Sequence, residues 1–308
     1  MNPSLAVRAR EGRLLADLAI LGIAAVWGAT FFMVKEATSA FPVMAFLALR
    51  FTLASAALVP FMLRQGRWPT RQEWRWGVIA GLLFCGGYVF QTFSLRLVDS
   101  GRTGFITGLY VIMVPLLALI LLRHPLKLRA LLGAGLAVVG LGLLSNAPGG
   151  NLPGDVLAIL CALCFAAQIV AVEKFPPDAD WRIMSIVQSV VVAVICAALV
   201  PLQAAVHACD TAVCLSLGTF AEPLPTALPL KVLAVAAFTG LIATALGLVI
   251  QVWAQRRLSP SDTALIFVME SPFSALFGFL FLGEMLSAGG LLGCGLMLTG
   301  MLTTALAG

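Results

Sequence analysis

Glu270 is the residue of this 308-residue chain best suited to chemistry. It lies deep in an apolar run, Phe267-Val268-Met269-Glu270-Ser271-Pro272. A carboxyl at that depth is costly and faces either a cavity or a partner. Two residues later Pro272 cannot donate its backbone bond, which frees a carbonyl one turn earlier. A carboxyl beside an interrupted helix can hold a substrate ammonium or a coupling proton. The competing reading is a structural acid, uncharged or paired with a buried donor. Tyr110 stands 160 residues before Glu270, again an amphipathic side chain in an apolar run, with Pro115 just beyond. Tyr110 and Glu270 are expected to face one central cavity from opposite halves. Gln91 and Gln251 are separated by the same 160 residues, Gln168 lies between them, and Tyr88 precedes Gln91 by one turn on the same face. Amides in such runs bond either to a substrate or across to a neighbouring helix, and both roles stay open here. Tyr88, Trp27 and Phe165 can supply apolar walls or simply pack.

Other polar residues read as structural. Arg50 is the single basic residue inside an apolar run. It could pair with Glu270, contact an anionic group of a substrate, or clamp two helices. Asp17 and Asp155 read as caps near helix starts, where a carboxylate favours the helix dipole. Gly133, Gly135, Gly140 and Gly142 superficially resemble a nucleotide fingerprint, but the spacing is wrong and no strand precedes them. Small residues on such a helix instead let a neighbour approach closely. Of the seven cysteines, Cys209 and Cys214 share the long loop 205–228, where a disulfide would pin the loop. No metal-ligand cluster, phosphate loop or nucleophile elbow occurs, so neither a metal, a cofactor, hydrolysis nor ATP-driven pumping has residues to carry it.

The elements that must position these side chains are ten apolar stretches, at 15–36, 41–63, 74–97, 103–122, 128–146, 154–174, 183–204, 229–255, 262–283 and 287–306. Each is near the roughly 20 residues that cross the hydrocarbon of a bilayer. Hydrophobic residues make up 61% of the chain and charged ones 11%, against about 25% charge in soluble domains. Lipid is therefore the expected solvent, and an all-α integral membrane protein the expected fold. Basic residues sit in short loops and form no patch for nucleic acid. With the N-terminus inside, 14 Lys and Arg fall in inner segments and 4 in outer ones. That bias puts both termini in the cytoplasm. The basic start, with Arg8, Arg10 and Arg13, leads to no cleavage-site pattern.

The second half repeats the first. At an offset of 160 residues, Gly87 matches Gly247, Thr103 matches Thr263, Gly133 matches Gly293, Gly135 matches Gly295 and Gly140 matches Gly300. Five spans per half is an odd number, so the second half is expected upside down. The halves are 1–146 and 147–308, and a substrate site belongs between them near the midplane.

Together these features resemble the drug/metabolite transporter superfamily, in its ten-span branch with two EamA-type repeats. The similar residues are Trp27-Gly28 with Phe31 and Lys35, Pro42 with Arg50, and Leu282-Gly283-Glu284 followed by Gly293 and Gly300. Arg123-His124 departs from the pattern, standing where a Gly-Glu pair is usual. Within the branch the chain is most similar to the YddG-type amino-acid exporters. The resemblance implies a bacterial inner-membrane exporter of small metabolites, neutral and aromatic amino acids foremost. It also implies a cavity lined by spans one, three, four, six, eight and nine. Alternatives on the same fold are export of drugs or nucleosides. Alternatives of another class are an intramembrane enzyme, which lacks a buried nucleophile and base, and a membrane receptor or assembly subunit.

Overall fold

The computed structural model describes residues 3–64, 66–98, 100–125, 128–144, 151–175, 179–209, 220–282 and 287–305. Where water is absent, each backbone polar group must be paired within its own segment. The apolar stretches accordingly wind into helices, and no strand occurs among the described residues. In chain order they are α1 (Pro3–Ser39), α2 (Val43–Arg64), α3 (Arg71–Leu97), α4 (Ser100–Gly108), α5 (Tyr110–Leu122), α6 (Leu128–Leu144), α7 (Leu152–Glu173) and α8 (Trp181–His207). Then follow α9 (Leu230–Phe238), a π-helical segment (Thr239–Leu246), α10 (Gly247–Gln255), α11 (Pro260–Phe267), α12 (Glu270–Leu282) and α13 (Ala288–Ala305).

Eight candidate spans are long and apolar enough to cross a membrane: α1, α2, α3, α4 with α5, α7, α8, α9 through α10, and α11 with α12. The remaining two of the ten expected stretches are the shorter apolar helices α6 and α13. Large apolar side chains such as Ile120 and Phe281 are exposed on the outside, where lipid rather than water covers them. The protein is an integral membrane protein.

Three expected spans are interrupted. Span four breaks at Leu109 and span nine at Val268 and Met269, so Tyr110 and Glu270 each open the second helix of their span. In span nine the cause is Pro272, which has no N–H for the Val268 carbonyl. Ser271 N donates to that oxygen instead, at 3.2 Å. In span eight the chain widens into the π segment, a form that shifts helix register and leaves carbonyls available to other donors.

Asp17 is not a cap. Helix α1 begins at Pro3, because the basic start continues the helix, and Asp17 lies well inside it. It sits beside Arg13, which pairs with Asp262 at 3.3 Å. Asp155 does lie in the first turn of α7, but Asn151 is the cap, accepting from Gly154 N at 3.2 Å. Asp155 instead holds Arg102 through two bonds of 2.6 and 2.8 Å.

Helices α6 and α13 pack antiparallel through the repeated glycines. A Cβ on Gly140 would lie 2.5 Å from the Gly293 carbonyl oxygen, and one on Gly300 would lie 2.7 Å from that of Gly133. These contacts exchange under the 160-residue offset. The nearest atom at each position is a backbone oxygen, with Met297 Cγ 2.7 Å from the Gly140 Cβ and Leu136 Cβ 3.4 Å from the Gly300 Cβ, so a larger side chain has little room. Gly300→Leu is expected to lower the melting temperature of the purified protein by several degrees, on the order of 1–3 kcal/mol. Gly135→Leu, where nothing lies within 4 Å, should change it little. Equal effects at both sites would mean that the glycines are spacers.

Candidate central cavity

The polar and aromatic residues singled out above converge. One cavity is lined by Trp27, Thr30 and Phe31 of α1, by Phe84, Tyr88 and Gln91 of α3, and by Tyr110 of α5. Phe165, Gln168 and Ile169 of α7, Gln251 of α10, Phe267 of α11 and Glu270 of α12 complete it. The space within this lining, its open mouth included, is about 480 Å³. The contributing spans are the first, third, fourth, sixth, eighth and ninth.

Close helix approach makes this convergence possible. A Cβ on Gly87 would collide with the Phe165 ring, and one on Gly247 would lie 3.2 Å from the Trp27 Nε1. Gly87 and Gly247 are a repeat pair, so an aromatic ring from the first helix of each half rests on a glycine from the third helix of the other. On α1, Gly28 meets the start of α12. Its Cβ would lie 2.6 Å from the Glu270 carbonyl oxygen and 2.8 Å from Ser274 N. Gly28 thus permits the approach that brings Glu270 to the cavity.

The walls are mostly aromatic. The Tyr88 ring stands edge-on to Phe51, Phe84 and Phe165, with centroids 5.1, 4.8 and 5.4 Å away. Such edge-to-face pairs fix ring orientation. Trp27 lies 4.8 Å from Phe267 and donates from Nε1 to the Ala243 carbonyl at 2.7 Å. That acceptor belongs to the π segment.

Glu270 is buried at 5% exposure. Among the described residues no hydrogen bond or ion pair reaches its carboxyl. Two further cavity groups are unpaired: the Tyr110 hydroxyl and the Gln251 Oε1. Gln251 Nε2 donates to Gln168 Oε1 at 2.9 Å. The unpaired polar groups of the cavity are therefore the Glu270 carboxyl, the Gln251 amide oxygen and the Tyr110 hydroxyl, beside the half-buried Gln91 and the hydrogen-bonded Thr30, Tyr88 and Gln168. A carboxyl and an amide oxygen accept hydrogen bonds, which suits a ligand carrying an ammonium. Among the described residues no group of three or more His, Cys, Asp or Glu could hold a metal ion.

Arg50 is buried and lies behind the wall. Its Nε donates to Thr244 Oγ1 at 2.8 Å and its Nη2 to the Tyr88 hydroxyl at 3.2 Å, while its guanidinium carbon is 4.5 Å from the Tyr88 ring centre. Of its three expected roles, these contacts are those of a clamp between α2, α3 and the π segment. Pro115 lies inside α5 and Pro272 in the first turn of α12. Cys209 is disulfide-bonded, and Cys214 lies outside the described residues, as do Gly283 and Glu284.

Sequence reasoning missed Thr30, Phe31, Phe84, Ile169 and Phe267 in the lining. Helical spacing offered a signal for four of them: Phe84 is one turn before Tyr88, Thr30 and Phe31 one turn after Trp27, and Ile169 one turn after Phe165. Thr244 and the π segment were missed as well, although Thr239-Gly240 interrupts an otherwise apolar run.

The sequence model of the EamA-like transporter family matches residues 14–146 and again residues 152–306. The chain belongs to the EamA-like transporter family. A curated relative of this EamA-family chain is an uncharacterized transporter of Archaeoglobus fulgidus. It is 29% identical over 275 residues, spanning 89% of this chain and 80% of the relative. A crystal structure with 20% sequence identity superposes with a TM-score of 0.72, covering 95% of this chain and 98% of that one. At that identity the likeness concerns the fold. The EamA family membership makes the protein a membrane transporter.

Proposed function

We propose that this chain is a secondary transporter that exports small metabolites, neutral and aromatic amino acids foremost, by alternating access through the central cavity. The observation that carries the reading is the cavity's composition: aromatic walls around one unpaired carboxyl, Glu270, at a helix break. An aromatic side chain of the substrate rests on Phe84, Tyr88 and Phe165, and its ammonium meets Glu270. Tyr110 and Gln91 offer donors to the carboxylate. The same carboxyl is the candidate carrier of a coupling proton. Support for an inverted repeat comes from contacts that exchange under the 160-residue offset, Gly140 on Gly293 and Gly300 on Gly133. The lysine and arginine bias supports cytoplasmic termini.

The test is uptake by proteoliposomes of purified protein, using labelled amino acids, nucleosides and cationic drugs, with and without a pH gradient. Saturable flux of phenylalanine or leucine is the expected result. Dependence on the gradient would mark proton coupling, and indifference to it a facilitator. Flux confined to nucleosides or drugs would overturn the substrate, and no flux for any compound would favour a receptor role.

A further inference from the structure

Gln188 lies on α8, is 0% exposed and does not line the cavity. Its amide ends a buried chain that reaches the cavity. Gln188 Nε2 donates to the Met184 carbonyl at 3.3 Å. Gln168 Nε2 donates to Gln188 Oε1 at 2.7 Å, and Gln251 Nε2 to Gln168 Oε1 at 2.9 Å. The chain closes on Gln251 Oε1, which is buried and unbonded.

An isolated amide can turn its oxygen and nitrogen either way at little cost. This chain cannot, because one end is anchored on a backbone carbonyl, which only accepts. The Gln188 nitrogen must face Met184, so its oxygen faces Gln168. That orients Gln168, which in turn orients Gln251. Reversing any single amide sets donor against donor or oxygen against oxygen in a buried site, where lost hydrogen bonds are costly. The result at the cavity is a fixed acceptor from Gln251.

The other half lacks this arrangement. Arg50 precedes Gln188 by 138 residues, the separation of Asp17 from Asp155 and of Trp27 from Phe165. Arg50 carries only donors, and it directs two of them to Thr244 and Tyr88. One half therefore presents a polarised acceptor, and the other an aromatic wall.

We infer that Gln188 is a positioning residue, which acts through Gln168 to hold the Gln251 amide oxygen towards the ammonium of the transported molecule. The inference rests on the amine-binding reading of the cavity given above. It goes further by naming a second acceptor for the ammonium beside Glu270 and the residue that orients it.

The test is calorimetric binding to the purified full-length protein of two probes, phenethylamine and 3-phenylpropionate, which share a phenyl body and differ in charged group. Gln188→Met keeps the volume and removes the anchor. It is expected to weaken phenethylamine about five- to tenfold, the scale of one hydrogen bond, and to leave 3-phenylpropionate within twofold. In a Gln251→Met background the same change should have no further effect on phenethylamine. Equal weakening of both probes, or the same factor in both backgrounds, would make Gln188 a packing residue and overturn the inference. Should Gln188→Met not fold, Gln188→Asn, too short to reach Gln168, carries the same comparison. If Glu270→Gln removes the preference for phenethylamine while Gln188→Met leaves it intact, the inference fails alone. If the wild-type protein shows no preference for phenethylamine, the amine-binding reading fails and takes the inference with it.

Discussion

Glu270→Gln is expected to reduce amino-acid flux in proteoliposomes at least tenfold, with the loss appearing mainly in KM. The substitution keeps the size and polarity of the side chain and removes its charge. A hydrogen bond between charged groups is worth about 1.5–3 kcal/mol, which corresponds to roughly ten- to a hundredfold in affinity. Glu270 is the group exposed to this loss because no described residue shares its carboxyl. Folding should be little affected, since no internal ion pair is broken. The second readout is pH. If Glu270 carries the coupling proton, wild-type flux varies with pH and the variant's flux is flat. Unchanged flux across the pH range in Glu270→Gln would remove both roles and leave a structural acid.

Gly28→Val is expected to impair transport through geometry rather than charge. The added carbons would meet the Glu270 carbonyl oxygen, the Phe273 Cβ and the Ser274 nitrogen, at 2.6, 2.8 and 2.8 Å from the first of them. Two of these atoms are backbone and cannot rotate away. Relief requires α12 to move from α1, and the start of α12 is where Glu270 sits. Overpacking of this kind costs about 1–3 kcal/mol. We expect a lower melting temperature together with a large fall in flux. Gly22→Val, on the same helix with nothing within 4 Å, is the control and should retain both. Equal behaviour of the two variants would mean that α1 and α12 are not in contact at this level.

Much of the site was readable from the sequence because polar residues are conspicuous in apolar runs. Glu270, Tyr110, Gln91, Gln168 and Gln251 stood out for that reason, and the structure brings all five to one cavity. Repeated glycines were readable for a related reason: a constant offset among residues without side chains is not expected from hydropathy alone. Gly87, Gly247, Gly140 and Gly300 lie at helix contacts where their lack of a Cβ matters, whereas Gly135 and Gly295 have nothing within 4 Å. Residue type alone did not mark Phe31, Phe84 and Phe267 as lining, because a phenylalanine facing a cavity looks the same in sequence as one facing lipid or core; for Phe31 and Phe84 only the helical spacing from Trp27 and Tyr88 carried a signal.

Three features needed tertiary structure. The π segment follows from no proline, and its acceptors became visible only once Trp27 and Arg50 had been placed against it. Gln188 is inconspicuous near the start of α8, and its connection to the cavity depends on three helices meeting. Asp17 looked like a cap because the hydropathy boundary lies near it. The helix itself continues back to Pro3, because a helix can extend beyond the apolar run that crosses the membrane.

The central claim is that the cavity between the helix breaks holds the transported molecule by its ammonium. The most direct test is a structure of the protein with the best amino acid from the flux panel bound. The account predicts the ammonium within about 2.7–3.2 Å of both the Glu270 carboxyl and Gln251 Oε1, with the side chain on Phe84 and Phe165. A ligand bound elsewhere, or one in the cavity with its ammonium turned away from Glu270, would contradict it.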